Sequence, residues 1–234
     1  MTLLYVFPHP DDESFGPGPA IARQVREGHA VHLLTLTRGG ATKVRHRLGL
    51  SIEEMGAVRE EEMRCVEQTL GLASLTVLDL PDNGLRHLDP REIEAAVAAH
   101  VERLRPAVLV SYAVHGISGY YDHLVMHAVA KRVFCEMRDE GADCLKRLAL
   151  FTLINGEIEE APVPLKGIPR EEVGAVVTYT DEDLAKARAA LACYTTYAEA
   201  IAAHDPLRQV KGGVPFELFG ERHAPPLDDL TAGL

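Results

Sequence analysis

In the stretch Leu3-Leu4-Tyr5-Val6-Phe7-Pro8-His9-Pro10-Asp11-Asp12-Glu13, an apolar run ends in a concentration of charge. Five consecutive apolar residues suit a buried strand of a parallel sheet. An imidazole and three carboxylates then sit where that strand ends. Closely spaced carboxylates at the edge of a core resist desolvation and raise one another's pKa unless a cation neutralises them. A divalent metal meets that need; the competing reading is a solvated acidic turn. Nitrogen from His9 with oxygen from Asp11 or Asp12 suits zinc or ferrous iron better than calcium or magnesium, which take all-oxygen shells.

Outward from this stretch, short apolar runs alternate with longer amphipathic ones, the signature of an α/β fold with crossover helices. Strands are predicted at 3–7, 30–37, 75–80, 107–112 and 148–154, and helices at 20–27, 51–70, 90–104 and 122–137. Ser51 and Glu54 form a capping box beside a Leu50 and Met55 staple, and Gly71 ends that helix. Residues 41–50 hold Lys43, Arg45, His46 and Arg47, a basic island read as a projecting loop. Residues 81–84, Pro-Asp-Asn-Gly, read as a turn. Beyond them come an excursion at 157–172, a strand at 175–179, a long helix over 182–203 capped by Thr180, and an irregular Gly- and Pro-rich tail. The fold class read from this pattern is α/β: a Rossmann-like, mostly parallel sheet flanked by helices. Residues 1–155 form its core, and 156–234 a C-terminal extension packed on the same domain.

The 234 residues are 47% apolar, ample for one sizeable core, and the formal charge of −11 argues against a nucleic-acid binder or a protein docked on anionic lipid. Cys65, Cys135, Cys144 and Cys193 are scattered without a CxxC pair and read as reduced core residues. The first apolar run is too short for a signal sequence, and no run approaches the roughly 18 residues that span a bilayer. A cytoplasmic location is the resulting expectation.

A second polar cluster follows the fourth strand: His115, Tyr120, Tyr121, Asp122, His123 and His127. In a doubly wound sheet the first and fourth strands commonly lie side by side, and the crevice at their carboxyl ends binds ligands. His9 and Asp12 from the first loop and His123 from the second then give two imidazoles and one carboxylate, with positions left for water and substrate. His127, one helical turn after His123, reads as a packing residue.

On these residues the sequence resembles the LmbE-like (PIG-L) family of zinc-dependent N-deacetylases. The matching features are His9-Pro10-Asp11-Asp12-Glu13 after a strand, Leu36-Thr37-Arg38-Gly39-Gly40 ending the second strand, Arg59 and Glu62 on the next helix, and Gly119 followed by Asp122-His123. The likeness covers residues 1–155. It implies a zinc ion, with ferrous iron as the alternative, held by His9, Asp12 and His123, and Asp11 as the general base. It also implies Arg59 and Asp82 as substrate contacts, a small N-acylated amino-sugar substrate, and an assembly that could be a homo-oligomer. For Arg59 an ion pair with Glu62 is the plainer reading, and for Asp82 an ordinary turn residue.

Two departures from the family pattern stand out. Tyr120-Tyr121 occupy the place of a histidine-proline pair, so Tyr120 or His115 is the candidate partner for the oxyanion. Around Cys193-Tyr194-Thr195-Thr196 a family-like histidine and glutamine are replaced, in a region expected to shape the acyl pocket or an oligomer contact. The expected activity is hydrolysis of an N-acyl, above all N-acetyl, group. The rivals are a catalytically weak metal- and metabolite-binding member of the same fold and a ferrous enzyme using two histidines and a carboxylate. A dinucleotide module is disfavoured, because Gly16-Pro17-Gly18-Pro19 lacks the full glycine spacing and the neighbouring carboxylates would repel a pyrophosphate.

Overall fold

The computed structural model describes residues 1–234. In chain order its elements are β1 (Thr2–Phe7), α1 (Gly18–Arg26), β2 (Ala30–Thr37), α2 (Val44–Leu48), α3 (Ile52–Leu70), β3 (Ser74–Leu80), α4 (Pro90–Leu104), β4 (Val108–Tyr112), α5 (Gly116–Gly119), α6 (Tyr121–Asp139), β5 (Arg147–Phe151), β6 (Ala175–Val177), α7 (Asp181–Ala192), α8 (Ala198–His204) and β7 (Val214–Leu218). They build one seven-stranded sheet in the order β3-β2-β1-β4-β5-β7-β6. The first five of these strands run parallel, and β7 lies antiparallel between β5 and β6.

The continuous apolar run of β1 is explained by its central place. Leu3, Tyr5 and Phe7 face one layer, packing with Ile21 of α1, Met63 and Val66 of α3, and Ala187 and Leu191 of α7. Leu4 and Val6 face the other, with Ile93 and Val97 of α4 and Met126, Val129 and Val133 of α6. A strand covered on both faces needs apolar side chains at every position, so it shows no polar alternation. Its neighbours are β2 and β4, paired in parallel through Leu3↔Val31 and Leu3↔Val108. The turn after β1 and the loop after β4 therefore emerge at the same edge, at the point where strand order reverses.

The expected capping box is present, with Ser51 Oγ accepting from the Glu54 amide at 3.2 Å and Glu54 Oε2 from the Ser51 amide at 2.8 Å. Four expectations need correction. The basic island is not only loop, since residues 44–48 form α2. The long late helix is two helices, α7 and α8, because the backbone bends at Tyr194 (φ −80°, ψ 69°) as Thr195 and Thr196 bind Glu62. The tail is not wholly irregular: β7 completes the sheet, its inward Val214, Phe216 and Leu218 interrupted in sequence by Pro215.

The fourth correction concerns the cysteines. Cys65 on α3 and Cys193 after α7 are joined by a disulfide, with Cα atoms 5.7 Å apart, while Cys135 and Cys144 are free. The two partners are 128 residues apart, and only the packing of α7 against α3 brings them together. The inference of a reducing compartment from the cysteines lapses with it. No helix is long and apolar enough to cross a membrane.

Candidate active site and metal centre

The turn after β1 is fixed from below. Thr37, ending β2, donates its amide and hydroxyl to the Pro8 carbonyl at 3.0 and 2.9 Å. The His9 amide donates to Asp12 Oδ2 at 2.8 Å, closing the turn on itself. Asp11 between them takes a φ of +86°, a left-handed conformation that a non-glycine residue holds only when its surroundings enforce it.

Across the crevice, Tyr112 at the end of β4 reaches both halves of the cluster. Its hydroxyl donates to Asp12 Oδ1 at 2.7 Å, and its ring stacks on His123 with centroids 4.3 Å apart. His123 enters from the first turn of α6. Gly116 closes the fit, for a Cβ there would lie 2.6 Å from His123 Cβ, and its φ is +58°.

His9 Nδ1, His123 Nε2 and the Asp12 carboxylate converge, with His9 to His123 at 3.3 Å and each to an Asp12 oxygen at 3.4 Å. A tetrahedral zinc ion with ligands at about 2.0–2.1 Å sets those ligands about 3.3–3.4 Å apart. The tautomers agree with that fit. His9 Nε2 faces Asp122 Oδ2 at 3.2 Å and Asp82 Oδ1 at 3.4 Å, and His123 Nδ1 faces the Gly116 carbonyl at 2.9 Å. Each of these outer nitrogens faces an acceptor, so each carries the proton, and the inner nitrogens present lone pairs toward one point. The residues present therefore fit a divalent metal.

Electrostatics point the same way. Burial pulls the His9 imidazole down, but Asp12 and Asp122 outweigh it and push its pKa up to about 10. Burial opposes ionisation of Asp12, yet His123, His9 and Tyr112 hold its carboxyl below the usual range. Without a metal, a proton is drawn to the place where the cation belongs. Burial lifts the Asp11 carboxyl to about 6 against the pull of Arg59, and lifts Glu13 to about 7 against bonds from Ser14 and Tyr194.

Not every expected site residue stands where the sequence suggested. Arg59 is only 2% exposed: its Nη2 donates to the Pro10 carbonyl at 2.7 Å and to Asp11 Oδ2 at 2.8 Å, so the guanidinium is spent on the turn after β1. The plainer pairing with Glu62 is not formed either, because that carboxylate receives Thr195 and Thr196. Asp82 takes the Ala41 amide on one oxygen at 2.6 Å and turns the other to His9 Nε2 at 3.4 Å, so both of its oxygens are engaged within the chain. His115 caps α5 by accepting from the Ile117 amide at 3.0 Å, and its Nε2 lies 3.2 Å from Thr152 Oγ1, which engages both nitrogens. Tyr120 is 55% exposed with its ring 5.7 Å from that of His123. Of the two candidates, Tyr120 is the one whose ring lies beside His123.

Sequence reasoning missed Tyr112, Asp122 as a His9 partner, and Tyr194, whose hydroxyl meets Asp11 and Glu13. Asp122 left a local signal beside His123, and Tyr194 stood in the stretch that departs from the family pattern, though neither contact was foreseen. The glycines after β1 serve packing: a Cβ at Gly16 would meet Phe151 at 2.2 Å, and one at Gly18 would meet Ala187 at 3.3 Å.

Comparison with known proteins adds to the geometry. Residues 4–134, more than half of the chain, match the PIG-L family model, described as GlcNAc-PI de-N-acetylase. The 1D-myo-inositol 2-acetamido-2-deoxy-alpha-D-glucopyranoside deacetylase of Kineococcus radiotolerans is 26% identical over 94% of this chain and 76% of its own length. Further relatives of that name are matched over about half of their length, as in Geodermatophilus obscurus at 36% identity, 56% of this chain and 51% of the relative. The fold is shared with a deacetylase of teicoplanin biosynthesis, with a TM-score of 0.71 at 16% identity over 93% of this chain and 97% of the other. It is shared as well with the 4-carboxy-2-hydroxymuconate hydratase of Pseudomonas putida, with a TM-score of 0.67 at 18% identity over 95% and 97%.

Proposed function

The chain belongs to the PIG-L (LmbE-like) family, and from that premise we propose that it is a metal-dependent amidohydrolase removing an N-acetyl group from a small amino-sugar conjugate. The observation that carries this reading is the convergence of His9 Nδ1, His123 Nε2 and the Asp12 carboxylate at 3.3–3.4 Å, with the Asp11 carboxylate in the adjoining residue. The relatives named as deacetylases support the amino-sugar substrate.

In this reading His9, Asp12 and His123 hold a divalent metal, zinc first and ferrous iron second. When bound, such an ion supplies Lewis acidity, polarising a carbonyl and making water more acidic. Asp11 accepts the proton of the attacking water and passes it to the leaving amine. Arg59 and the Tyr194 hydroxyl fix that carboxylate and its backbone. Tyr120 donates its phenol hydrogen bond to the oxyanion, from the position where relatives of the family pattern carry histidine. Arg59 and Asp82, engaged by Asp11 and by the Ala41 amide and His9, serve in this reading to hold the site's own residues. The substrate is taken to be a free small molecule.

The test is acetate release from a panel of N-acetylglucosamine conjugates, including the inositol glycoside, before and after chelation and return of zinc or ferrous iron. Metal-dependent release from at least one of them is the expected result; no release from the whole panel sinks the proposal. Asp11→Asn separates catalysis from mere binding: turnover should fall about 10²-fold or more with metal retained. A wild type already as slow as the variant would instead indicate a binding protein.

A further inference from the structure

Asp11 is gripped from two directions by parts of the chain that a single covalent bond joins. From α3, Arg59 donates to its carboxylate at 2.8 Å. From the bend between α7 and α8, the Tyr194 hydroxyl accepts the Asp11 amide at 2.9 Å and donates to Glu13 Oε1 at 2.7 Å. Tyr194 is fully buried. The amide it receives belongs to the one residue of the turn with a left-handed φ, a conformation that needs an outside partner to persist.

The segment bearing Tyr194 is pinned to α3 at three further points. The Glu62 carboxylate receives the Thr196 amide at 2.7 Å and the hydroxyls of Thr195 and Thr196 at 2.9 Å. The Tyr197 ring lies over the Arg59 guanidinium at 4.5 Å. Cys193, the residue before Tyr194, is disulfide-bonded to Cys65, and Cys65 faces solvent.

We infer that Tyr194, clamped to α3 by the Cys65–Cys193 disulfide, is a positioning residue for Asp11, and that reduction of the disulfide lowers turnover by loosening that grip. The inference rests on Asp11 being the general base. An external dithiol gives up two electrons and two protons; the Sγ–Sγ bond breaks, Cys65 and Cys193 become thiols, and the dithiol leaves as its own disulfide. Freed at Cys193, the segment keeps its bonds to Glu62 but loses the anchor nearest Tyr194. A reactive group displaced by about 1 Å forfeits on the order of 10²-fold in rate, so a small slackening is enough to register.

The test compares wild type, Tyr194→Phe and the double variant Cys65→Ala with Cys193→Ala, each loaded with zinc, for kcat, KM, zinc affinity and hydrogen exchange at the Asp11 amide. Phenylalanine keeps the ring against Arg59 and removes only the hydroxyl. Its kcat should fall about 10- to 100-fold with KM and zinc affinity within about threefold of wild type, and the Asp11 amide should exchange about tenfold faster. The double variant, and wild type treated with dithiothreitol, should shift kcat and exchange in the same direction by a smaller factor, reversed in the wild type on reoxidation. A Tyr194→Phe kcat within about twofold of wild type, or a loss matched by an equal loss of zinc affinity, overturns the positioning role. Dithiothreitol that leaves kcat and Asp11 exchange unchanged overturns the clamp, and this arm decides if Tyr194→Phe does not fold. Absence of turnover in the wild type counts against the deacetylase reading instead, and Asp11 exchange still reports whether Tyr194 holds that amide.

Discussion

His9 Nδ1 and His123 Nε2 face each other at 3.3 Å, while the other nitrogen of each ring is committed to an oxygen acceptor. A metal bound between these nitrogens and the Asp12 carboxylate displaces the proton that His9 otherwise holds there, and because the unfolded chain offers no such cluster, its binding energy adds to stability. Zinc at about 100 times its dissociation constant should add about 2.7 kcal/mol to stability. For a domain of this size that is a rise in Tm of roughly 5–11 °C, read by calorimetry with and without chelator. His123→Ala should abolish the rise; a Tm indifferent to zinc in the wild type argues against a metal site.

Tyr112 lies one layer out, donating to Asp12 Oδ1 at 2.7 Å and stacking on His123. Groups that orient ligands in this way typically govern metal affinity by 10- to 100-fold. Tyr112→Phe keeps the stack and removes the hydrogen bond. Its zinc affinity should fall about tenfold in a calorimetric titration, and an unchanged affinity would show that Asp12 needs no such support.

How much of this was legible in the sequence depends on what each feature needs. β1 and its charged turn declare themselves locally, by an apolar run and by carboxylates that no core tolerates alone. The pairing of β1 with β4, which joins the two halves of the cluster, follows from the βα alternation and the ordinary topology of such sheets. Arg59 was read as a substrate contact; its burial against Asp11 depends on the packing of α3, and no local pattern encodes that. The disulfide and Tyr194 depend on α7 lying against α3, a contact between segments more than 100 residues apart. β7 was hidden by Pro215, which interrupts an otherwise alternating run.

Asp183 offers a pH test well away from the site. It accepts from Arg26 Nε and Nη2 at 2.8 and 3.0 Å and from the Thr180 amide at 2.9 Å, at the start of α7. Burial disfavours its charge, but Arg26 and Thr180 outweigh burial and hold its pKa below the usual carboxylate value. The folded value lies below the unfolded one, so the unfolded chain binds more protons in the window between them. The contribution is therefore present above the unfolded pKa of about 3.9 and lost as pH falls through the lower folded value. Asp183→Asn should cost about 1 kcal/mol near pH 7, and in denaturant melts the gap from wild type should close below about pH 4. A gap that persists unchanged into acid would mean that the charge of Asp183 contributes nothing.

Tyr120 and His115 are the two candidates for the oxyanion partner, and their surroundings differ. His115 has both nitrogens engaged, by the Ile117 amide and Thr152, and burial lowers its pKa. Its Nδ1 lone pair is spent on capping α5. Tyr120 projects 55% exposed beside His123. If its phenol stabilises the oxyanion, Tyr120→Phe should lower kcat by about 10²-fold with KM, zinc affinity and Tm close to wild type, because an exposed hydroxyl supports little structure. His115→Ala should show the opposite pattern: a Tm lowered by loss of the cap, about 1 kcal/mol of stability, with kcat of the folded enzyme within about threefold of wild type. Steady-state kinetics and thermal melts on the two variants settle the assignment, and reversed outcomes would move the oxyanion partner from Tyr120 to His115.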